Sequence, residues 1–185
     1  MNQPATFSIR TATPADIPAL HALIELSVRN LQQHDYTPQQ IEGALGHALG
    51  LDTQLIEDAT YFIAEPIDSP GQLAGCGGWS YRKTLFDSDH GPNRETSFLD
   101  PTTDAAKIRA IFIHPKYARK GLGTRILAHC EAAAQAAGFR RLTMGSTLTG
   151  VPLYTLKGYS PIERVSVPLP NGESLPIIVM DKALG

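Results

Sequence analysis

The passage from Ile108 to Ala137 restricts the fold more than any other part of the chain. A compact apolar strand, Ile108 to Ile113, is ended by His114-Pro115, because the residue before a proline is driven to extended geometry and proline cannot donate to a ladder. A basic turn with glycines at 121 and 123 follows and opens a helix, on one face of which Leu122, Ile126, Cys130, Ala133 and Ala137 recur. Gly138 stands where a left-handed C-terminal cap belongs. A strand delivered into an amphipathic helix in this way predicts an α/β fold, with a sheet covered by helices.

The flanking elements extend that reading. Phe7 to Arg10 suits a short strand, and Thr13-Pro14-Ala15-Asp16 can cap a helix whose apolar face is Ile17, Leu20, Ile24, Val28 and Leu31. The device repeats at Thr37-Pro38-Gln39-Gln40, predicting a second, shorter helix. Tyr61 to Ala64 and Leu73 to Tyr81 read as a hairpin, with Trp79 and Tyr81 as core residues. Arg82 to Asp104 has no sustained periodicity and predicts a long surface excursion that folds over a site. Leu142 to Ser146 is a further strand, and Val151 to Leu156 a short helix ended by Gly158. Val165 to Leu169 and Leu175 to Met180 form a last hairpin, for which Pro170-Asn171-Gly172 predicts a tight primed turn. Pro168 and Pro176 point to edge positions, where a second subunit could pair to give a homodimer. The 185 residues suit one domain over 1–185, with a loop excursion at about 82–104. Its sheet is mixed and mostly antiparallel.

Composition excludes several classes. Hydrophobic residues at 42% and charged residues at 18% describe a folding chain, neither disordered nor membrane-spanning. With 16 Lys+Arg against 18 Asp+Glu, the net charge of -2 exerts no global pull on nucleic acid or anionic lipid. Any anion site must be local. The start, MNQPATFSIR, lacks the basic and apolar regions of a signal peptide, so a cytoplasmic protein is expected. Cys76 and Cys130 read as buried packing, and the six histidines lack ligand spacing, so no metal is expected. Ser27, Ser146 and Thr147 have no hydrolase elbow around them.

The local anion site is the turn Arg119 to Thr124. Gly121 and Gly123 allow a ligand close to the backbone, and the first N–H groups of a helix have no partner within it. Arg119, Lys120 and Arg125 add positive charge. The Gly-x-x-x-x-Gly-Lys-[Ser/Thr] loop is missing, and Gly-x-Gly-x-x-Gly fails at Ile126, which argues against ATP and NAD.

The segment Ala118-Arg119-Lys120-Gly121-Leu122-Gly123 resembles the cofactor loop of the GCN5-related N-acetyltransferases (GNAT), Arg/Gln-x-x-Gly-x-Gly/Ala, with Ala118 standing at the Arg/Gln position. Leu153-Tyr154-Thr155-Leu156-Lys157-Gly158-Tyr159 is similar to that family's late Phe/Leu-Tyr-x-x-x-Gly-Phe/Tyr signature, and the likeness covers nearly the whole chain. The resemblance implies the acyl-CoA N-acyltransferase fold and acetyl-CoA as co-substrate. It places the pyrophosphate on the amides of Arg119, Lys120, Gly121, Leu122, Gly123 and Thr124, and the pantetheine along Ile111, Phe112 and Ile113. The strands equivalent to Ile108–Ile113 and Leu142–Ser146 would splay apart to admit it.

By the same resemblance an amine, on a small molecule or a protein, attacks the thioester directly, and Tyr154 donates to the departing sulfur. A backbone N–H near Ile113 would stabilise the oxyanion. Many relatives carry a carboxylate base on the strand before the loop, but Lys107-Ile108-Arg109-Ala110-Ile111 has none, which leaves Glu95 and His114 as candidates. The rival reading is a non-catalytic acyl-CoA-binding sensor or interaction module.

Overall fold

The computed structural model describes residues 6–185. β1 (Phe7–Thr11) leads through a 3-10 turn, Pro14–Asp16, into α1 (Ile17–Leu31). A capping box fixes this start: Asp16 Oδ2 accepts from the Thr13 N–H at 2.8 Å and from its hydroxyl at 2.9 Å. The second box starts α2 (Pro38–Ala44), with Thr37 Oγ1 accepting from the Gln40 N–H at 3.1 Å and Gln40 Oε1 from the Thr37 N–H at 3.0 Å. One further helix, α3 (Thr53–Glu57), was not expected. It is held by its Asp52 cap, which accepts from the Gln54 N–H at 3.1 Å, and is too short for apolar periodicity to mark it.

The remaining elements are β2 (Tyr61–Pro66), β3 (Gly75–Ser80), β4 (Ala106–Ile113), α4 (Leu122–Ala136), β5 (Arg141–Thr147), α5 (Val151–Leu156), β6 (Ser160–Pro168) and β7 (Ser174–Ala183). The strands form one sheet in the order β1-β2-β3-β4-β5-β7-β6. Every neighbouring pair is antiparallel except β4 with β5. One apolar layer seats α1 to α3 on one face, and the other seats α4 on the opposite face. The glycines of β3 allow α4 to lie close: a Cβ on Gly77 would stand 2.7 Å from Ile111 Cγ1 and 2.8 Å from Ile126 Cγ2.

β4 and β5 pair only at Ala106 with Leu142 and Lys107 with Thr143, then diverge. The cause lies in β4, where the step from Cys76 to Gly78 on β3 is matched by the longer step from Phe112 to Arg109. The extra residue makes a bulge, with Ala110 at φ 51, and a bulge bends its strand. The Tyr61 hydroxyl, reaching across from β2, donates to the Ala110 carbonyl at 2.8 Å and holds the bend.

The last hairpin corrects one expectation. Gly172 is left-handed at φ 86 but Asn171 is not; Gly172 N–H donates to Leu169 O at 3.0 Å and Leu169 N–H to Glu173 O at 2.9 Å. Pro170 locks its own φ negative, so the turn is unprimed and relaxes into a left-handed glycine. β6 is the sheet edge, as Pro168 suggested, while Pro176 on β7 lies just beyond the last β5 rung, Ile177 with Thr147. Pro161, Pro168 and a register shift between Pro161 and Glu163 interrupt that edge.

Candidate active site

The divergence of β4 from β5 opens a cleft of about 590 Å³, counting its mouth. Ile108 to Phe112 and Met144 to Thr147 form its strand walls, and Tyr154, Gln32, Ala48 to Gly50 and Leu85 to Asp87 complete the lining. The excursion therefore does fold over the site, but it is not wholly superficial: Thr84, Asp87 and Ser88 are buried. Phe86 reaches β5, where a Cβ on Gly145 would stand 3.0 Å from Phe86 Cδ1.

Arg109 holds the excursion from below. Its buried guanidinium donates to Asp52 Oδ2 at 2.9 Å, to the Thr84 carbonyl at 3.0 Å and to the Asp87 carbonyl at 2.7 Å. Arg94 joins from the excursion, donating to Asp52 Oδ1 at 2.9 Å and to the Ser88 carbonyl at 3.1 Å. The strand that lacks a carboxylate thus carries a structural cation instead. Burial lowers the Arg109 pKa, and the Asp52 carboxylate opposes that shift.

At the end of β4, after a 3-10 turn over Pro115–Tyr117, Arg119 and Gly121 are both left-handed, at φ 61 and φ 81. The amides of residues 119–124 donate to no acceptor among the described residues. Main-chain bonds stop with Ala118 N–H to Pro115 O at 3.2 Å and resume with Arg125 N–H to Gly121 O at 3.2 Å. Open space lies where a Cβ on Gly121 would point. A run of exposed donors at a helix start, with room beside it, fits a pyrophosphate. The Arg125 guanidinium is tethered nearby, donating to the Phe7 carbonyl at 3.0 Å and lying over the Phe7 ring.

Ile111 and Phe112 line the cleft, whereas Ile113 does not. The Ile113 N–H donates to Ser27 Oγ of α1 at 3.2 Å, so this amide is already engaged. Sequence reasoning gave Ser27 no such role, and its buried place on the α1 face was the available signal.

Tyr154 lines the cleft, its ring edge-on to Tyr159 with centroids 5.9 Å apart. A Cβ on Gly150 would stand 2.7 Å from Tyr154 Cε2, so glycine gives the ring its room. Burial pushes the phenol well above its ordinary pKa, so the hydroxyl stays protonated. The preceding Leu153 touches the loop, with its Cδ2 3.3 Å from where a Gly123 Cβ would sit.

Neither candidate base lines the cleft. Glu95 is exposed, accepts from Ser97 Oγ at 2.9 Å and pairs with Lys83 at 3.5 Å. His114 Nδ1 accepts from the Lys116 N–H at 3.1 Å and so caps its own turn. Trp79 is buried against Tyr81 and Phe139, and both cysteines are buried, with burial pushing the Cys76 thiol up to about 12. No helix among the described residues is long and apolar enough to cross a membrane.

The sequence matches the acetyltransferase (GNAT) family over residues 25–158. No curated protein matches it. Among solved structures, a GCN5-related N-acetyltransferase from Rhodopseudomonas palustris is similar with TM-score 0.71 and 21% identity, covering 100% of this chain and 99% of that one. The PaiA N-acetyltransferase from Thermoplasma acidophilum, in complex with coenzyme A, has TM-score 0.62 and 12% identity over 96% and 99%. A ribosomal-protein-alanine N-acetyltransferase from Brucella melitensis has TM-score 0.61 and 18% identity over 96% and 99%.

Proposed function

The chain belongs to the GNAT acetyltransferase family, and from that premise we propose that residues 1–185 act as one domain that moves the acetyl group of acetyl-CoA to a primary amine, on a small molecule or a protein, by direct attack in a ternary complex. The observation that carries this reading is the run of unengaged amides from 119 to 124, placed at the end of the strand that walls the cleft of Tyr154.

Each part of the chain has a chemical task in this reaction. The 119–124 amides and the positive end of α4 hold the pyrophosphate. The β4 edge from Ile108 onward, which β5 leaves unpaired, offers main-chain groups to the pantetheine amides along Ile111 and Phe112. The cleft aligns the thioester with the amine, and alignment of this kind supplies a large share of the rate. Tyr154 gives its proton to sulfur as the carbon–sulfur bond breaks.

The test is calorimetry with coenzyme A, followed by thiol release from acetyl-CoA across a panel of primary amines. Saturable binding with amine-dependent release is expected, and failure to bind would overturn the reading. The sensor alternative draws on two observations, Ala118 in the loop and the lack of a carboxylate on β4; binding without release for every amine would support it.

A further inference from the structure

Among the described residues, three buried side-chain polar atoms have no hydrogen-bond partner: Gln32 Oε1, Trp79 Nε1 and Asp87 Oδ1. Trp79 belongs to the core beneath α4, whereas Gln32 and Asp87 line the same cleft as Tyr154. Their exposures are 7% and 4%. An acceptor buried this deeply without a donor is unfavourable unless a ligand or a water supplies one.

The position of Asp87 is built by its surroundings. Its backbone sits at φ 97, which is strained for a residue with a side chain. Arg109 holds its carbonyl at 2.7 Å, and the Asn93 N–H donates to Oδ2 at 2.9 Å. Gly91 lets the loop close, since a Cβ there would stand 2.2 Å from Asp87 Cβ. One carboxylate oxygen therefore serves the excursion, and the other has no partner among the described residues, in a side chain that lines the cleft. Gln32 reaches the same cleft from the end of α1.

We propose that Asp87 and Gln32 receive the amino group of the acceptor, with Asp87 Oδ1 as the base, an inference that rests on the acetyl-transfer reading above. Two unpartnered acceptors favour a ligand with two N–H donors on one atom, which a primary amine presents and an alcohol or thiol does not. As the amine nitrogen bonds to the thioester carbon, its proton passes to Asp87 Oδ1. The carbon–sulfur bond then breaks, and Tyr154 protonates the sulfur. Solvent carries the Asp87 proton back to Tyr154, leaving an amide and a free thiol. Asp87 thus supplies, from the excursion, the carboxylate that β4 lacks.

The experiment first measures coenzyme A affinity and thiol release with the best amine of the panel on the unaltered protein, and then on variants. Asp87→Asn keeps the shape, can still accept from Asn93, and tolerates the backbone angle better than aspartate. A purely structural role therefore predicts unchanged or improved stability and turnover. The proposal predicts unchanged coenzyme A affinity with kcat/KM lowered about 100-fold or more. Gln32→Met removes an unpartnered acceptor at similar volume, so the melting temperature should hold or rise while the amine KM increases about tenfold. Wild-type kinetics in both variants would overturn this proposal alone. A parent protein that does not bind coenzyme A would overturn the acetyl-transfer reading, and this one with it.

Discussion

Replacing Arg109 by methionine tests how the excursion is held. The change keeps bulk and removes the charge, so three bonds are lost, to Asp52 at 2.9 Å and to the carbonyls of Thr84 and Asp87 at 3.0 and 2.7 Å. Breaking a buried ion pair from one side costs about 3–5 kcal/mol, chiefly because the remaining charge is stranded. Asp52 is not stranded here, because Arg94 still donates to its other oxygen at 2.9 Å. The expected loss is therefore at the low end, about 3 kcal/mol. In a domain of this size that lowers the melting temperature by about 6–12 °C. Urea and thermal unfolding measure it, and a double-mutant cycle with Asp52→Asn isolates the pair, with a coupling of about 0.5–3 kcal/mol expected. Thiol-release kinetics should show a higher amine KM, since Thr84 and Asp87 lose their anchor. A melting temperature within about 2 °C of the parent, with amine kinetics intact, would refute the reasoning.

Tyr61→Phe leaves the Ala110 carbonyl without its donor, and urea unfolding should show a loss of about 1–3 kcal/mol together with reduced turnover as the bulge relaxes. Tyr154→Phe should lower kcat by about 100-fold or more while calorimetry finds coenzyme A affinity unchanged; full turnover would remove Tyr154 as the acid. Gly121→Ala forces a side-chain residue into φ 81 at a strain of about 1–2 kcal/mol, visible in unfolding and as weaker coenzyme A binding. The Arg10 guanidinium holds the Asp16 carboxyl well below the usual carboxylate range, against a smaller burial effect. A depressed folded-state value means that this pair stabilises the fold above the unfolded carboxyl pKa of about 3.9 and fades as acid takes the pH lower. The melting-temperature gap between the parent and Asp16→Asn should accordingly shrink on acidification, and a constant gap would contradict it.

What could be read from the residues alone depended on whether the signal was local. Thr13 with Asp16 and Thr37 with Gln40 announced their helices because a capping box is complete within one turn. Tyr154 and the 119–124 loop could be singled out because the motifs that hold them are runs of adjacent residues. β6 was read only from Val165 onward, since Ser160 to Arg164 is exposed throughout and shows no alternation of burial. Asp87 gave no sign, because its role comes from Arg109, Asn93 and Gly91, which the fold brings around it. The absence of a carboxylate on β4 was visible in sequence, but what Arg109 does there was not: its partners Asp52 and Thr84 are set by tertiary contact alone.

The contact between Leu153 and the site of a Gly123 Cβ affects how loop variants should be interpreted. Alanine at 121 meets empty space, so its influence stays with the backbone and with phosphate affinity. Alanine at 123 would stand 3.3 Å from Leu153 Cδ2 and press on the side chain that precedes the phenol in the short helix. Two glycines with the same apparent duty would then yield different kinetic signatures, one confined to cofactor saturation and the other spreading into turnover through a mechanical link.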